Sequence, residues 1–242
     1  MSHQTFIGSG PYCYANSMAM VLQPHAPSTA ILEFATSSAF GMQTFANNAF
    51  FDPVGWDPLL GMAQALPLLG WQSVETISPN ETEALQNLKT ALEKGPVIVG
   101  PVEMGFLKHS PTAMGPMGAD HYVVATRVAD GQVEFHDPAG YPYATLPIAD
   151  FLKAWKTDSL GYGKSYTMRH SFKKVEDVSD EEAIRRAIPL GREWLAMKHK
   201  GDMPPDTRGN KEATEVLAKK IETKYSPDVK NPLIYFAVQC GA

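Results

Sequence analysis

Asp120-His121-Tyr122-Val123-Val124-Ala125-Thr126-Arg127-Val128-Ala129-Asp130-Gly131-Gln132-Val133-Glu134-Phe135-His136-Asp137 is the stretch that governs the reading of this chain. Tyr122 to Val128 is rich in β-branched residues and reads as a strand. Ala129-Asp130-Gly131 is a hairpin turn, and Gln132 to Asp137 reads as the returning strand. Upstream, Pro96-Val97-Ile98-Val99-Gly100-Pro101-Val102 is another short β-branched strand. Downstream, Asp137-Pro138-Ala139-Gly140 turns the chain again, and Tyr166-Thr167-Met168-Arg169 reads as a further, edge strand.

The segments before this sheet read as helices. Cys13 to Leu22 is rich in Ala, Met and Leu and stops before Pro24. Pro27-Ser28-Thr29 caps a helix through Ile31, Leu32, Phe34 and Ala35. Leu59 to Leu69 is an apolar core helix whose end is limited by Pro67. Asn80 with Glu83 forms a capping box for a helix that runs to Lys94 and stops at Gly95. Helices first and an antiparallel sheet afterwards give an α+β class.

Beyond residue 172 the character changes. Ser179-Asp180-Glu181-Glu182 opens a helix through Ile184, Ala187 and Ile188, and Leu190 to Met197 is helical. Val216, Leu217 and Ile221 recur at helix spacing between Ala213 and Tyr225, while Leu233 to Val238 fits helix or strand. The expected organisation is a main domain over residues 1–172 and a helical C-terminal extension, 173–242, packed on it. Residues 37–58, with Phe40, Phe45, Phe50 and Trp56, read either as a buried connecting loop or as the apolar wall of a substrate cleft.

Composition narrows the function. The 242 residues are 44% hydrophobic and 19% charged, enough apolar content for a packed core. A formal charge of −5 gives no footprint for nucleic acid. No run reaches the length of a membrane span, and Met1-Ser2-His3-Gln4-Thr5 lacks the order of a secretory signal, so the expectation is a cytoplasmic protein with no membrane partner. Cys13 and Cys240 lie at opposite ends and form no metal-binding pattern, so both read as free thiols. No metal or other cofactor is expected.

Three positions carry the chemistry. Cys13 follows a Gly/Pro turn and starts a helix, whose free N–H groups favour negative charge on the sulfur. His121 precedes one strand of the hairpin and Asp137 ends the other, so the pairing brings both to the same end. A carboxylate there can hold the imidazole in one tautomer and stabilise its charged form. A cysteine on an early helix, followed by His and Asp on a later antiparallel sheet, is the chain order of papain-like thiol enzymes. Each residue also has a plain structural reading: a packed thiol, a half-exposed strand-end His, a turn Asp.

From Pro96 to Gly161 the chain resembles the N-terminal domain family of butirosin biosynthesis protein H. The resembling pieces are Gly95-Pro96-Val97-Ile98-Val99 with Val102-Glu103, Asp120-His121-Tyr122-Val123-Val124, and Val133-Glu134-Phe135-His136-Asp137-Pro138. Leu146-Pro147-Ile148-Ala149-Asp150-Phe151 with Ala154-Trp155, and Pro11-Tyr12-Cys13-Tyr14-Ala15-Asn16 with Leu22, extend it over residues 1–165. Related bacteriocin-leader peptidase domains share the cysteine, the His before a Val-rich strand and the Asp-Pro. The resemblance implies a papain-like fold with a Cys-His-Asp triad. It implies Cys13 as nucleophile, His121 as general base and acid, and Asp137 as the orienting carboxylate. It also implies transfer of an acyl group from a carrier-protein thioester to an amine. Residues 173–242 match nothing in that family, and the segment from Phe40 to Trp56 departs from its glycine-rich version.

The expected function is therefore cysteine-dependent acyl transfer through an acyl-enzyme, in a setting such as secondary-metabolite biosynthesis. The alternatives are a papain-like peptidase or amidohydrolase, and a degenerate binding domain. The expected partners are a small-molecule or peptide acyl substrate and, as a further candidate, an acyl-carrier protein docking on Arg185-Arg186 or Lys219-Lys220. Papain-like enzymes supply an oxyanion donor from a Gln upstream of the nucleophile; the matching position here is Ile7, which leaves Gln4 and Asn16 as weaker candidates. Glu103, His109 and Trp56 are candidate substrate contacts. Asp120 is a rival to Asp137 but adjoins His121, and His136 should point away from the face that Asp137 occupies.

Overall fold

The structure is a computed structural model that describes residues 5–8, 12–45, 48–198, 203–204 and 206–222. In chain order its elements are α1 (Cys13–Val21), α2 (Thr29–Thr36), β1 (Gln43–Phe45), β2 (Asn48–Phe50), α3 (Pro58–Leu68), β3 (Trp71–Ile77), α4 (Glu81–Leu92), β4 (Val97–Glu103), a 3-10 turn (Met104–Phe106), β5 (Asp120–Ala129), β6 (Gln132–Asp137), β7 (Tyr141–Pro147), α5 (Ile148–Trp155), β8 (Thr167–Lys174), α6 (Asp180–Leu195), β9 (Arg208–Gly209) and α7 (Asn210–Glu222). Helices and antiparallel sheets make the chain α+β. Cys240, Gln4 and the Leu233–Val238 stretch lie outside the described residues.

Two units divide the chain. Met1–Thr29 with Gly70–Asp177 form one, and Ala30–Leu69 with Val178–Ala242 the other. The first is built on a six-stranded antiparallel sheet in the order β3-β8-β4-β5-β6-β7. Its β5–β6 hairpin closes through Asp130 (φ 53°) and Gly131 (φ 75°), the positive-φ pair that matches the twist of paired strands. A core of Leu88, Val99, Val123, Phe135, Phe151, Trp155 and Met168 packs α4 and α5 on this sheet. Asn80 caps α4 by accepting the Glu83 N–H at 3.0 Å, as the capping box requires.

Two features of this sheet differ from expectation. β8 is an interior strand between β3 and β4, not an edge strand. The true edges are β3 and β7, neither of which carries a strong strand signal. β3 is amphiphilic on neither face, with Val74 and Ile77 exposed, and β7 contains Pro142 and Pro147, which an edge tolerates because it has no outer ladder to fill.

The second unit also revises the expected domain boundary. Residues 30–69 belong with the C-terminal helices, so 173–242 is not a separate appendage to 1–172. The reason is shared burial. The Trp194 indole N–H donates to Gln64 Oε1 at 3.0 Å, α7 packs on β1, and Ala213 and Leu217 bury against Met42 and Ala49. The aromatic segment 37–58 holds the short β1–β2 hairpin, to which β9 adds a third strand. α6 runs unbroken through Pro189, where a split was expected.

Gly191 in α6 sets up a test of this packing. A Cβ there would lie 2.7 Å from the Phe40 ring. Ala is the better helix former by about 1 kcal/mol, but overpacking costs about 1–3 kcal/mol. Gly191→Ala should therefore lower the stability of the second unit in urea unfolding, and in a Phe40→Ala background the same substitution should raise it.

Candidate active site

α1 begins at Cys13. Tyr12 precedes it without a side-chain cap, and Asn16 N–H bonds the Tyr12 carbonyl at 3.0 Å to close the first turn. The whole of α1 is buried, and Cys13 retains 9% exposure. The Ser17 hydroxyl donates to the Tyr122 carbonyl at 3.3 Å, which ties the cysteine's helix to the strand residue next to His121. The N–H groups of a first helical turn have no acceptor within the helix, so this end of α1 favours an anion.

His121 opens β5, and Asp137 ends β6. The pairing of Val124 with His136 continues to set Asp137 near His121, and His121 Nε2 meets Asp137 Oδ1 at 2.6 Å. Besides this bond, His121 is coupled to Cys13. Burial pushes His121 down. The Cys13 charge, then the Asp137 hydrogen bond, then the Cys13 hydrogen bond and the Asp137 charge override it and raise His121 from its ordinary 6.5 to about 10.

Asp137 has three N–H donors. His121 and the Ala139 amide (2.8 Å) reach Oδ1, and His109 Nε2 reaches Oδ2 at 2.7 Å. The Ala139 bond is the side-chain turn that Asp forms with the backbone two residues on. Burial alone would raise this carboxyl; the hydrogen bonds from His109 and His121, the His121 charge and the Ala139 amide hold it well below the usual carboxylate range.

Of the weaker candidates, His109 joins this cluster and the others do not. His109 is not a surface-loop residue: its side chain is only 8% exposed and its polar contact is with Asp137. Glu103 is wholly buried and accepts N–H bonds from Gly105 (3.1 Å), Met117 (3.1 Å) and Gly118 (3.0 Å) and the Ser159 hydroxyl. Burial opposes its charge, but Ser159 and these amides hold it below its ordinary value. It organises the loop between β4 and β5 in place of the expected substrate contact. Trp56 lies in the second unit, where its indole N–H donates to the Thr36 carbonyl at 2.8 Å and its ring fills the space beside Gly61. Asn16 is buried one turn into α1, and Gln4 lies outside the described residues.

Asp120 accepts the Tyr162 hydroxyl, which is itself 3.1 Å from that of Tyr122. His136 turns away from Asp137: its Nδ1 accepts the Tyr143 N–H at 3.0 Å and its ring packs on Phe6 and Tyr143. Arg185 and Arg186 both pair with Glu182. Among the described residues, no group of three or more His, Cys, Asp and Glu side chains is arranged to hold a metal ion. No described helix is long and apolar enough to cross a membrane.

Comparison with known proteins gives a distant relative. The chain is 32% identical over 188 residues to the uncharacterized protein YobF of Bacillus subtilis (strain 168). The match covers 76% of this chain and 61% of that protein, so the chain spans about three fifths of its relative's length. No family model matches the chain.

The held carboxylate makes a stability prediction. Its folded value lies below its unfolded value, near 3.8, so its contribution is present above that pH and is lost as the pH falls through the folded value. Asp137→Asn should be less stable than the parent near neutral pH and should lose less stability between about pH 5 and about pH 2, measured by urea unfolding across that range.

Proposed function

We propose that the chain is a cysteine acyltransferase that works through an acyl-enzyme on Cys13, within a papain-like arrangement of the first unit. The observation that carries this reading is the grouping of Cys13, His121 and Asp137, in which a buried imidazole is held by a carboxylate at 2.6 Å and coupled to the cysteine. The resemblance to the butirosin protein family supports the same roles for the same three residues.

In the first half-reaction the Cys13 thiolate attacks the acyl carbonyl. The bond from carbonyl carbon to the leaving sulfur breaks, and His121 gives its proton to the departing thiol. The oxygen of the tetrahedral intermediate carries the negative charge, and the Cys13 amide at the start of α1 is a donor for it. In the second half an amine attacks the Cys13 thioester, His121 takes the amine proton, and Cys13 leaves again as thiolate. The net change is thioester plus amine to amide plus thiol. Burial of Cys13 and His121 limits water, which favours transfer over hydrolysis.

A panel of acyl thioesters tests the reading. Mass spectrometry should show an added acyl group on Cys13, discharged faster as amine concentration rises. Cys13→Ala should abolish the adduct, and Asp137→Asn should slow its formation by about 10³-fold or more by leaving the imidazole misoriented. Free acid as the product at every amine concentration would replace transfer with hydrolysis. A parent chain in which Cys13 never acylates would leave a binding domain.

A further inference from the structure

Asp137 has a second imidazole donor beyond the one that a Cys-His-Asp arrangement uses. His109 comes from the loop after the 3-10 turn, and its ring stands edge-on to Phe135 (4.9 Å) and Tyr141 (5.1 Å). Nε2 bonds Asp137 Oδ2, and Nδ1 is buried without a hydrogen-bond partner. An ionised carboxylate only accepts, so the hydrogen between them sits on Nε2 of His109. As a packing residue this imidazole is a poor choice, because a buried polar atom without a partner is destabilising. What it supplies is a fixed donor to the oxygen that His121 does not use.

We propose that His109 is a positioning residue of the Cys13 centre, which locks the second oxygen of Asp137 so that the first stays on His121. The array is Cys13–His121–Asp137–His109. The inference rests on the acyl-transfer reading for its purpose, though its geometry is independent of it. Without the His109 bond Oδ2 loses this anchor, and the bonds from His121 and the Ala139 amide hold Oδ1 alone. The groups facing this cluster are Cys13 from α1, His121 from β5, Asp137 from β6, Tyr141 from β7 and His109 itself.

The His109 loop is built to hold this position. Glu103 gathers the amides of Gly105, Met117 and Gly118, and Gly115 N–H bonds the Gly105 carbonyl at 3.0 Å. The loop's two ends are thus pinned together, with His109 inside it and His121 just beyond.

The test compares the full-length parent with His109→Leu, which removes the donor, and His109→Gln, whose amide can restore it. Nitrogen-15 NMR reads the His121 titration, and peptide mass spectrometry reads the pH dependence of Cys13 alkylation by iodoacetamide. In His109→Leu the His121 midpoint should fall by about one pH unit and the pH profile of Cys13 alkylation should shift with it, and His109→Gln should recover most of both. If folded His109→Leu titrates and alkylates as the parent does, His109 only packs and the inference is overturned. Should the Leu variant not fold, His109→Asn, polar but too short to reach Asp137, gives the same comparison. A parent Cys13 that reacts no faster than an unfolded thiol would defeat the nucleophile reading, while the His121 titration would still decide the role of His109.

Discussion

The arrangement depends on a carboxylate, Asp137, kept ionised away from water. An isolated charge of this kind is expensive to bury, and it persists because hydrogen-bond donors replace its hydration. Those donors come from three places in the chain: His121 on β5, His109 in the loop before β5, and the Ala139 amide in the turn that follows Asp137. The carboxylate therefore does structural and electrostatic work together. It pins the end of the hairpin to the preceding loop, and it makes a buried imidazole more basic.

The cysteine reaches this cluster through the sheet. α1 packs on β5, and the Ser17 hydroxyl on the Tyr122 carbonyl fixes how far along the strand the helix sits. A slip of one residue in the β5–β6 register would turn Asp137 to the face now used by His136. The positive-φ turn at Asp130 and Gly131 guards against that slip, so a short loop at one end of the hairpin sets the chemistry at the other.

Much of this was legible in residues 120–137 because β-branched strands and an Asp-Gly turn leave a local signal. The candidates Cys13, His121 and Asp137 were legible because each lies at the end of an element. His109 was visible as a loop residue, but its burial was not. The loop is drawn in by Glu103 through backbone N–H groups, and any residue type can supply those. Ser17 was hidden for a related reason: one serine in an apolar helix does not announce which carbonyl it will meet. The grouping of residues 30–69 with the C-terminal helices arises from packing between segments far apart in sequence, such as Trp194 with Gln64, which composition does not register.

Glu103 and Asp137 show why burial and hydrogen bonding alone do not identify a reactive group. Both carboxylates are buried, and both are held below their ordinary values by donors. The donors differ in kind. Glu103 is surrounded by peptide amides and a serine hydroxyl, whose protons do not leave under ordinary conditions, so its charge can only organise a loop. Asp137 faces two imidazoles, and one of them is coupled to a cysteine. Only there can the field of a fixed charge change which neighbouring atom holds a proton. That distinction, read from the identity of the donors, separates the carboxylate that shapes the loop from the one that can tune a nucleophile.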